Sequence, residues 1–359
     1  MTLSVAIVGY GYWGSKHARI FSARPDVAVT LVDSDPARLA EAQATFPSAR
    51  VASNLDEALP TVDAVVIATP PRTHGPLALA ALTADCHVLV EKPLATSVAQ
   101  CQALIAEAEA RDLVLMTGHT FEYNAAVWKL RELAVNGELG ELRYIDTARL
   151  NLGLYQQDVN VVWDLAPHDI SIINYVLGRS PVAVAAWGNC HAGHTTEDVA
   201  YLQVQYVDPD ICAYVHVSWL DPCKVRRVTV VGTEKMAVYN DVSLNERIRV
   251  HDVGVTVPPA DETMQTIPMN YRYGDIVSPY ISVQEPLAVQ DGHFIECITS
   301  GTTPRTDGRS GLEVVRVLEA ASLAMERGRV VAIGDVSEPQ VPALTLAGTP
   351  ERRVREGAL

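Results

Sequence analysis

The sequence predicts an α/β protein of two domains, in which a doubly wound parallel sheet precedes a larger domain whose sheet carries helices on one face. The chain has 359 residues, and a domain commonly has about 100–200. Short apolar runs alternate with helical segments as far as residue 120, whereas strand patterns dominate after residue 142. We therefore expect domains at residues 1–120 and 121–335, followed by a peripheral tail at residues 336–359.

The first domain is predicted from apolar runs that are short, rich in β-branched residues and bounded by Gly, Pro, Asp or Thr, as buried parallel strands are. These runs are residues 3–8, 27–32, 64–68, 87–90 and 114–116. Helical segments lie between them at residues 14–23, 36–46, 74–84 and 97–111. This alternation favours a sheet with helices on both faces.

The second domain begins with a helix at residues 125–136, which Gly137 would end as a C-cap. Alternating strand patterns follow at residues 142–151, 182–189, 200–207, 212–219, 226–232 and 237–239, with turns at 207–210 and 232–235. Helices are expected at residues 164–177, 289–299 and 311–327. Residues 253–285 show no clear period, so we predict a long ordered loop there.

Composition narrows the class of protein. Forty-three acidic and 28 basic residues give a formal net charge of −15, which argues against binding to nucleic acid or to an anionic membrane. No stretch approaches the roughly 20 apolar residues of a membrane span, and no basic leader precedes the first apolar run. The six cysteines are scattered without a CxxC motif. Together these features predict a cytoplasmic protein with reduced thiols.

A glycine-rich turn follows the first predicted strand, with the sequence Gly9-Tyr10-Gly11-Tyr12-Trp13-Gly14. Gly9 permits a tight turn, Gly11 lets a pyrophosphate approach the backbone, and Gly14 lets the next helix pack close to the strand. Free amides at the helix start would then face the phosphates. We expect the whole turn, including Tyr12 and Trp13, to bind a dinucleotide.

An acidic residue, Asp33, ends the second predicted strand. A carboxylate at this position accepts hydrogen bonds from the adenine ribose hydroxyls and would repel a 2′-phosphate. NAD is therefore favoured over NADP as the cofactor. In the alternative interpretation, the glycines only punctuate a loop and Asp33 caps the following helix.

Two further segments follow strands at the same predicted edge of the sheet. Thr69 and Pro70 come after the strand pattern at residues 64–68 with His74 just beyond, and Glu91-Lys92-Pro93 follows the strand at residues 87–90. Because ligands of open α/β sheets bind outside the carboxyl ends of the strands, we assign these residues to the cofactor site. Lys92 could also stabilise a developing alkoxide, although a lysine at a strand end is by default solvated.

A pair four residues apart supplies the candidate acid–base group. Asp164 and His168 share one face of a helical turn, with Pro167 tolerated if it falls within the first turn. Histidine is suited to accepting a hydroxyl proton near neutral pH, and a carboxylate one turn away could orient it or hold the substrate. In the alternative interpretation, Asp164 is an N-cap and His168 a packed or surface histidine. Cys190-His191-x-x-His194 has superficial metal-ligand spacing but no helix to align it, so no metal is expected.

These motifs together resemble the Gfo/Idh/MocA oxidoreductases, a family that includes glucose–fructose oxidoreductase and inositol dehydrogenase. The resemblance covers about residues 1–330. It implies an N-terminal Rossmann domain that binds NAD and a C-terminal α/β domain with an open, mostly antiparallel sheet. It also implies a homodimer or homotetramer, often formed through that sheet. The lysine and the D-x-x-x-H pair of the family correspond to Lys92, Asp164 and His168, the predicted catalytic residues.

Further phrases resemble the branch that oxidises nucleotide-activated sugars at C3. They lie at residues 118–120, 149–153, 158–169, 271–275 and 285–287. This narrower resemblance implies a substrate site that includes His119, Arg149, Asn151, Asn160, Trp163 and Tyr271. The substrate diphosphate would need arginines, for which Arg149, Arg226, Arg227 and Arg272 are candidates.

Three functions remain open on the sequence alone. The first is a hydride transfer between NAD and a secondary alcohol of a nucleotide-activated sugar. The second is the same chemistry on a free cyclitol or sugar. The third is a dinucleotide- or sugar-sensing regulator of the same fold, which would need the glycine turn but not Lys92, Asp164 and His168.

Overall fold

The structure is a computed structural model of the chain. It describes residues 2–336 except residues 154, 157, 194, 208–210, 257–268 and 283. The predicted turn at residues 207–210 therefore falls largely outside the described residues. Of the predicted tail only residue 336 is described.

The first sheet is fully parallel and has six strands within the described residues. They are β1 (Leu3–Val8), β2 (Val27–Val32), β3 (Arg50–Ala52), β4 (Ala64–Ile67), β5 (His87–Glu91) and β6 (Leu115–Gly118), in the order β3-β2-β1-β4-β5-β6. The order reverses between β1 and β4, which creates the crevice where such sheets bind ligands. The predicted doubly wound sheet is confirmed. The short edge strand β3 was missed because three half-exposed residues carry no hydrophobic period.

The second sheet is mixed and mostly antiparallel, with nine strands among the described residues. They are β7 (Leu142–Leu150), β8 (Ala183–Asn189), β9 (Val199–Tyr206), β10 (Ile211–Ser218), β11 (Val225–Gly232), β12 (Met236–Asn240), β13 (Ile248–Thr256), β14 (Asn270–Val277) and β15 (Val331–Ala332). Their order is β14-β13-β12-β11-β7-β10-β9-β8-β15, and only the pairing of β10 with β7 is parallel. The open, mostly antiparallel sheet is therefore confirmed.

The helices cover both faces of the first sheet and one face of the second. They are α1 (Tyr12–Ser22), α2 (Pro36–Thr45), α3 (Leu55–Ala58), α4 (His74–Thr83), α5 (Val98–Ala110), α6 (Ala125–Val135), α7 (Val161–Leu177), α8 (Pro286–Ser300) and α9 (Gly308–Arg327). Helices α7 and α9 pack on the second sheet, while α8 returns to pack on α1. Phe294 and Ile295 of α8 accordingly join the core formed by Val5 and Ile7 of β1. No helix among the described residues is long and apolar enough to cross a bilayer.

Two sequence predictions about secondary structure are wrong. Residues 253–285 are not one loop, because β13 reaches Thr256 and β14 occupies Asn270–Val277. Strand β14 lies at the sheet edge and is exposed almost throughout, so its sequence lacks the alternation of a half-buried strand.

The second error concerns the start of α7. The helix begins at Val161 rather than residue 164, because the side chain of Asn160 accepts a hydrogen bond from the Trp163 amide and caps it. Asp164 is therefore not the N-cap. Pro167 lies inside the helix instead of in its first turn.

Candidate active site

The glycine turn between β1 and α1 is shaped by close backbone approaches. Gly9 has φ +92°, and a Cβ there would lie 2.8 Å from the carbonyl oxygen of Ala68. A Cβ at Gly14 would lie 1.7 Å from the carbonyl oxygen of Gly9, so only glycine lets α1 meet the strand. At Gly11 the nearest group to a Cβ is the Arg38 guanidinium at 4.0 Å, which leaves the backbone open to a ligand.

Helix α1 begins at Tyr12, and Gly11 is its N-cap without any capping side-chain hydrogen bond among the described residues. The first amides of the helix, including those of Trp13 and Gly14, are therefore free to face an anion. An open glycine backbone beside an uncapped helix start fits the pyrophosphate of a dinucleotide. Tyr12 is largely exposed and Trp13 partly so, which leaves both side chains accessible at this edge.

Asp33 directly follows β2, and its side chain is only 7% exposed. Its carboxylate accepts hydrogen bonds from the amides of Tyr10 (2.7 Å) and Asp35 (2.9 Å). The Arg38 guanidinium lies 3.7 Å from the same carboxylate. Asp33 thus has a fixed position beside the glycine turn, which a carboxylate needs in order to accept hydrogen bonds from the ribose hydroxyls. Capping of α2 belongs to Asp35 rather than to Asp33.

His74 connects the two loops that follow β4 and β5. Its ring nitrogens lie 2.8 Å from the carbonyl oxygen of Thr69 and 2.7 Å from that of Pro93. Burial lowers the pKa of His74, with the two carbonyl contacts opposing that effect. The ring thus holds the Thr69–Pro70 loop against the segment that carries Lys92, whose peptide bond to Pro93 is cis.

Lys92 and Asp164 form one unit. The Lys92 Nζ donates to the main-chain oxygen of Asp164 at 2.7 Å and to its Oδ1 at 3.2 Å. The other carboxylate oxygen of Asp164 accepts a hydrogen bond from the Trp219 indole at 3.0 Å. Since an ammonium has three donors, one N–H of Lys92 remains for a ligand. The expectation that Asp164 orients His168 is thus replaced by a contact with Lys92.

His168 lies one helical turn beyond Asp164. Its ring packs edge-on against the Phe121 ring, with 5.1 Å between the ring centroids. Its Nδ1 is buried and has no hydrogen-bond partner within the described part of the chain. Burial, followed by the positive charges of Lys92 and Arg149, lowers the pKa of His168 well below 6.5. The ring is therefore neutral at neutral pH and able to accept a proton.

A cavity of about 870 Å³ brings the catalytic candidates together. Its lining includes Trp13 of the glycine turn as well as Lys92, Asp164 and His168. Of the predicted substrate residues, Arg149 and Asn151 also line it. Arg149 is held by a two-point contact with Asp169, at 2.7 and 3.3 Å.

The structure does not bring the other four predicted substrate residues to this cavity. His119 is buried with both ring nitrogens unpartnered among the described residues, and burial lowers its pKa to about 4. Asn160 caps α7 and donates to Glu197, while the Trp163 indole donates to Ser322. Tyr271 lies on the exposed edge strand β14.

Sequence reasoning missed a buried ion cluster beneath the glycine turn. His17 of α1 lies 3.0 Å from the Glu91 carboxylate and 2.9 Å from that of Asp291 on α8. Burial alone would lower its pKa, but the charges and hydrogen bonds of the two carboxylates raise it to about 10. No local pattern could reveal this cluster, because Asp291 is 274 residues from His17.

The structure also separates the four arginine candidates. Arg226 lines the cavity, as does the unpredicted Arg247. Arg227 instead lies 3.8 Å from Asp146, and Arg272 pairs with Asp252 on the edge strands.

The histidines with metal-ligand spacing do not form a metal site in the described residues. The His191 ring lies 3.0 Å from Asp198, while His194 falls outside the described residues. Across the part of the chain that is described, no group of three His, Cys, Asp or Glu side chains is arranged so that it could hold a metal ion.

Two family descriptions match the chain. Residues 3–119 match "Oxidoreductase family, NAD-binding Rossmann fold", and residues 127–238 match "GFO/IDH/MocA C-terminal domain". The uncharacterized oxidoreductase YdgJ of Escherichia coli is 30% identical over 302 residues, which cover 75% of this chain and 85% of that protein.

UDP-N-acetylglucosamine 3-dehydrogenase of Acidithiobacillus ferrooxidans is 33% identical over 187 residues, covering 52% of this chain. The match spans 58% of the length of that curated relative. A crystal structure bearing the same name superposes with TM-score 0.75 and 25% identity, over 91% of this chain and 98% of that one. GenD2 from gentamicin A biosynthesis, solved with NAD, superposes with TM-score 0.77 and 27% identity, over 92% and 96% of the two chains.

Proposed function

This chain belongs to the Gfo/Idh/MocA oxidoreductase family, and on that premise we propose that it transfers a hydride between NAD and C3 of a nucleotide-activated sugar. The observation that carries the proposal is the Lys92–Asp164 unit beside a neutral His168, in a cavity that opens onto the glycine turn. A sensing protein would need the glycine turn but not this trio. The trio therefore favours an enzyme over a regulator.

Each of the three side chains has a distinct task in the oxidation of an alcohol. His168 takes the hydroxyl proton, since its lowered pKa keeps it neutral. Lys92 donates its remaining N–H to the substrate oxygen and stabilises the negative charge that develops there. Asp164 holds the Lys92 ammonium in place. Bound NAD supplies the nicotinamide ring that receives the hydride from the alcohol carbon, and reduction of the ketone reverses these transfers.

The choice of a nucleotide-activated sugar as substrate is supported by the relative named UDP-N-acetylglucosamine 3-dehydrogenase. The match to that relative covers 52% of this chain. The cavity volume of about 870 Å³ is within the range of sites that take such large ligands. We assign NAD binding to residues 1–120 and substrate binding to residues 121–335.

The reaction is tested by NADH formation with a matched panel of substrates. The panel contains UDP-N-acetylglucosamine, UDP-glucose, free N-acetylglucosamine and myo-inositol. We expect reduction of NAD with a UDP-sugar, and NMR of the product should place the ketone at C3. Turnover of myo-inositol alone would replace the nucleotide-sugar proposal by a cyclitol dehydrogenase, and no hydride exchange with any sugar would favour the regulator.

Cofactor choice gives a second test. Asp33→Ser removes the carboxylate that would bind the ribose hydroxyls. In the wild type this carboxylate lies 3.7 Å from the Arg38 guanidinium, so its loss frees Arg38 to pair with a 2′-phosphate. We expect the ratio of kcat/KM for NAD to that for NADP to fall about tenfold or more, equivalent to about 1.4 kcal/mol. Asp35→Ser is the matched control, because Asp35 also lies near Arg38 but caps α2. An unchanged ratio in Asp33→Ser would contradict the assignment.

The outer face of the second sheet is proposed to join copies of this chain into a dimer or tetramer. Trp187 and Tyr201 stand opposite each other on β8 and β9, with 60% and 51% of their surfaces exposed, and the Tyr201 ring stacks on His216 of β10 at 4.0 Å. Such an exposed aromatic row is typical of an interface. Light scattering should give the mass of a dimer or tetramer, and Trp187→Asp should lower it. A monomeric wild type would rule out this role.

A further inference from the structure

We propose that Lys224, Arg226 and Arg247 form a diphosphate-binding subsite in the outer part of the cavity. The inference rests on the proposed function and deepens it, since it names the part of the substrate held away from His168. None of these three residues has a role in the proposed hydride transfer.

The cavity is basic although the chain is acidic. Three of the five lysines in the whole sequence line it. The described lining holds six cationic side chains against three carboxylates, namely Lys16, Lys92, Arg149, Lys224, Arg226 and Arg247 against Asp164, Asp241 and Glu285. In a chain with a net charge of −15, this concentration of positive charge selects an anionic ligand and disfavours a cationic amino sugar.

The inner cations of the cavity already have partners, whereas the outer ones are under-compensated. Arg149 is held by Asp169, and Lys92 by Asp164. In the outer group one carboxylate, Asp241, serves two guanidinium groups, at 3.2 Å from Arg226 and 3.7 Å from Arg247. The buried Nε of Arg247 has no hydrogen-bond partner within the described residues. Two guanidinium groups thus share one carboxylate, and an unused donor remains at the site.

The outer cations lie in a row that starts beside His168. Arg226 on β11 stands directly opposite Arg149 on β7, and its charge contributes to lowering the pKa of His168. Arg247 precedes β13, two strands further along the sheet. At about 4.8 Å between strands, the backbones of Arg226 and Arg247 lie roughly 10 Å apart. A substrate with its sugar at His168 would therefore place its phosphates on the row.

The chemistry of these side chains suits a diphosphate. Guanidinium groups offer paired N–H donors that match phosphate oxygens, while a lysine adds an adjustable point charge. The Tyr239 hydroxyl donates to Asp241 at 2.9 Å and so keeps this carboxylate on the guanidinium pair. The two arginines are therefore held in place before a ligand arrives, which lowers the entropic cost of binding.

Arg227 provides a matched control within the same strand. It is adjacent to Arg226, but alternation along β11 sends its side chain to the opposite face of the sheet. There it lies 3.8 Å from Asp146 and is half exposed. Loss of Arg227 changes the net charge of the chain as much as loss of Arg226 does, yet leaves the cavity intact.

The experiment is calorimetric titration of the NAD-saturated protein with UDP, so that NAD already occupies the glycine turn. We expect Arg226→Gln and Arg247→Gln each to weaken UDP binding about tenfold or more, which corresponds to about 1.4 kcal/mol. Lys224→Gln, which alters an exposed residue and leaves folding intact, should weaken it in the same direction. Arg227→Gln should bind UDP as the wild type does.

Several outcomes would overturn the subsite: no UDP binding by the wild type, equal binding by all variants, or an equal loss in Arg227→Gln. Glucose 1-phosphate binding as tightly as UDP would replace the diphosphate by a phosphate monoester. The outcomes also separate this inference from the proposed function. Turnover of a UDP-sugar together with UDP binding that neither Arg226→Gln nor Arg247→Gln weakens would remove the subsite alone. UDP binding that depends on the row, without turnover of any UDP-sugar, would retain the subsite and remove the proposed reaction.

Discussion

His168→Gln is expected to lower kcat about 10²–10⁴-fold, because the variant lacks the group that takes the hydroxyl proton. The affinity for NAD should stay unchanged, since the glycine turn and Asp33 are separate from this side chain. Glutamine keeps a polar group of similar reach on α7, so the loss measures proton transfer rather than a collapse of the cavity. Stopped-flow kinetics of NADH formation gives kcat, and fluorescence titration gives NAD affinity.

His87→Gln is the matched control, since His87 starts β5 at the end of the sheet opposite Lys92 and accepts a hydrogen bond from the Val114 amide. It should retain the wild-type kcat within a few-fold. Near-full activity in His168→Gln would exclude His168 as the base.

The pH dependence of kcat/KM tests the same assignment independently. Burial and the nearby charge of Lys92 lower the pKa of His168, so the base stays deprotonated as the pH falls to 6.5 and below. Oxidation should therefore show an acid limb well below the ordinary histidine value of 6.5. Lys92→Met, which removes one of the depressing charges, should move that limb to higher pH.

The features of this site that can be predicted from the sequence are those that depend on local constraints. Gly9 and Gly14 are needed because the backbone approaches itself within a few residues of the turn. Lys92 follows directly from its place at the end of a buried strand. Contacts between distant segments could not be predicted in this way. The pairing of Lys92 with Asp164 joins residues 72 apart, and nothing near Lys92 in the sequence indicates its partner.

Side-chain direction explains why Trp163 and Arg227, two predicted substrate-site residues, do not line the cavity. Trp163 is adjacent to Asp164, but one residue turns an α-helix by about 100°, which brings its indole to Ser322 on α9. Arg226 and Arg227 are likewise adjacent, yet a strand sends successive side chains to opposite faces. Because the sequence left open which face of β11 meets the cavity, both arginines were candidates and only Arg226 lines it.

His17→Gln is expected to destabilise the protein by about 3–5 kcal/mol, because it leaves the buried carboxylates of Glu91 and Asp291 without their shared counter-charge. Glu91 also accepts the amide of Lys92 at 3.3 Å, so kcat should fall as the lysine loses its fixed position. The double variant His17→Gln/Asp291→Asn restores the original net charge of the cluster. It should recover part of both losses, as measured by urea unfolding and NADH formation.

The dependence of stability on pH distinguishes a charged His17 from one that merely fills space. With a pKa of about 10 in the folded protein and 6.5 in the unfolded chain, His17 stabilises the fold fully below pH 6.5, and this contribution disappears as the pH rises through 10. Between these limits the wild type should lose up to about 1.4 kcal/mol per pH unit relative to His17→Gln. Equal slopes for the two proteins would mean that His17 is neutral when folded. The cluster could then not act as the charged link that joins α1, α8 and the Lys92 segment.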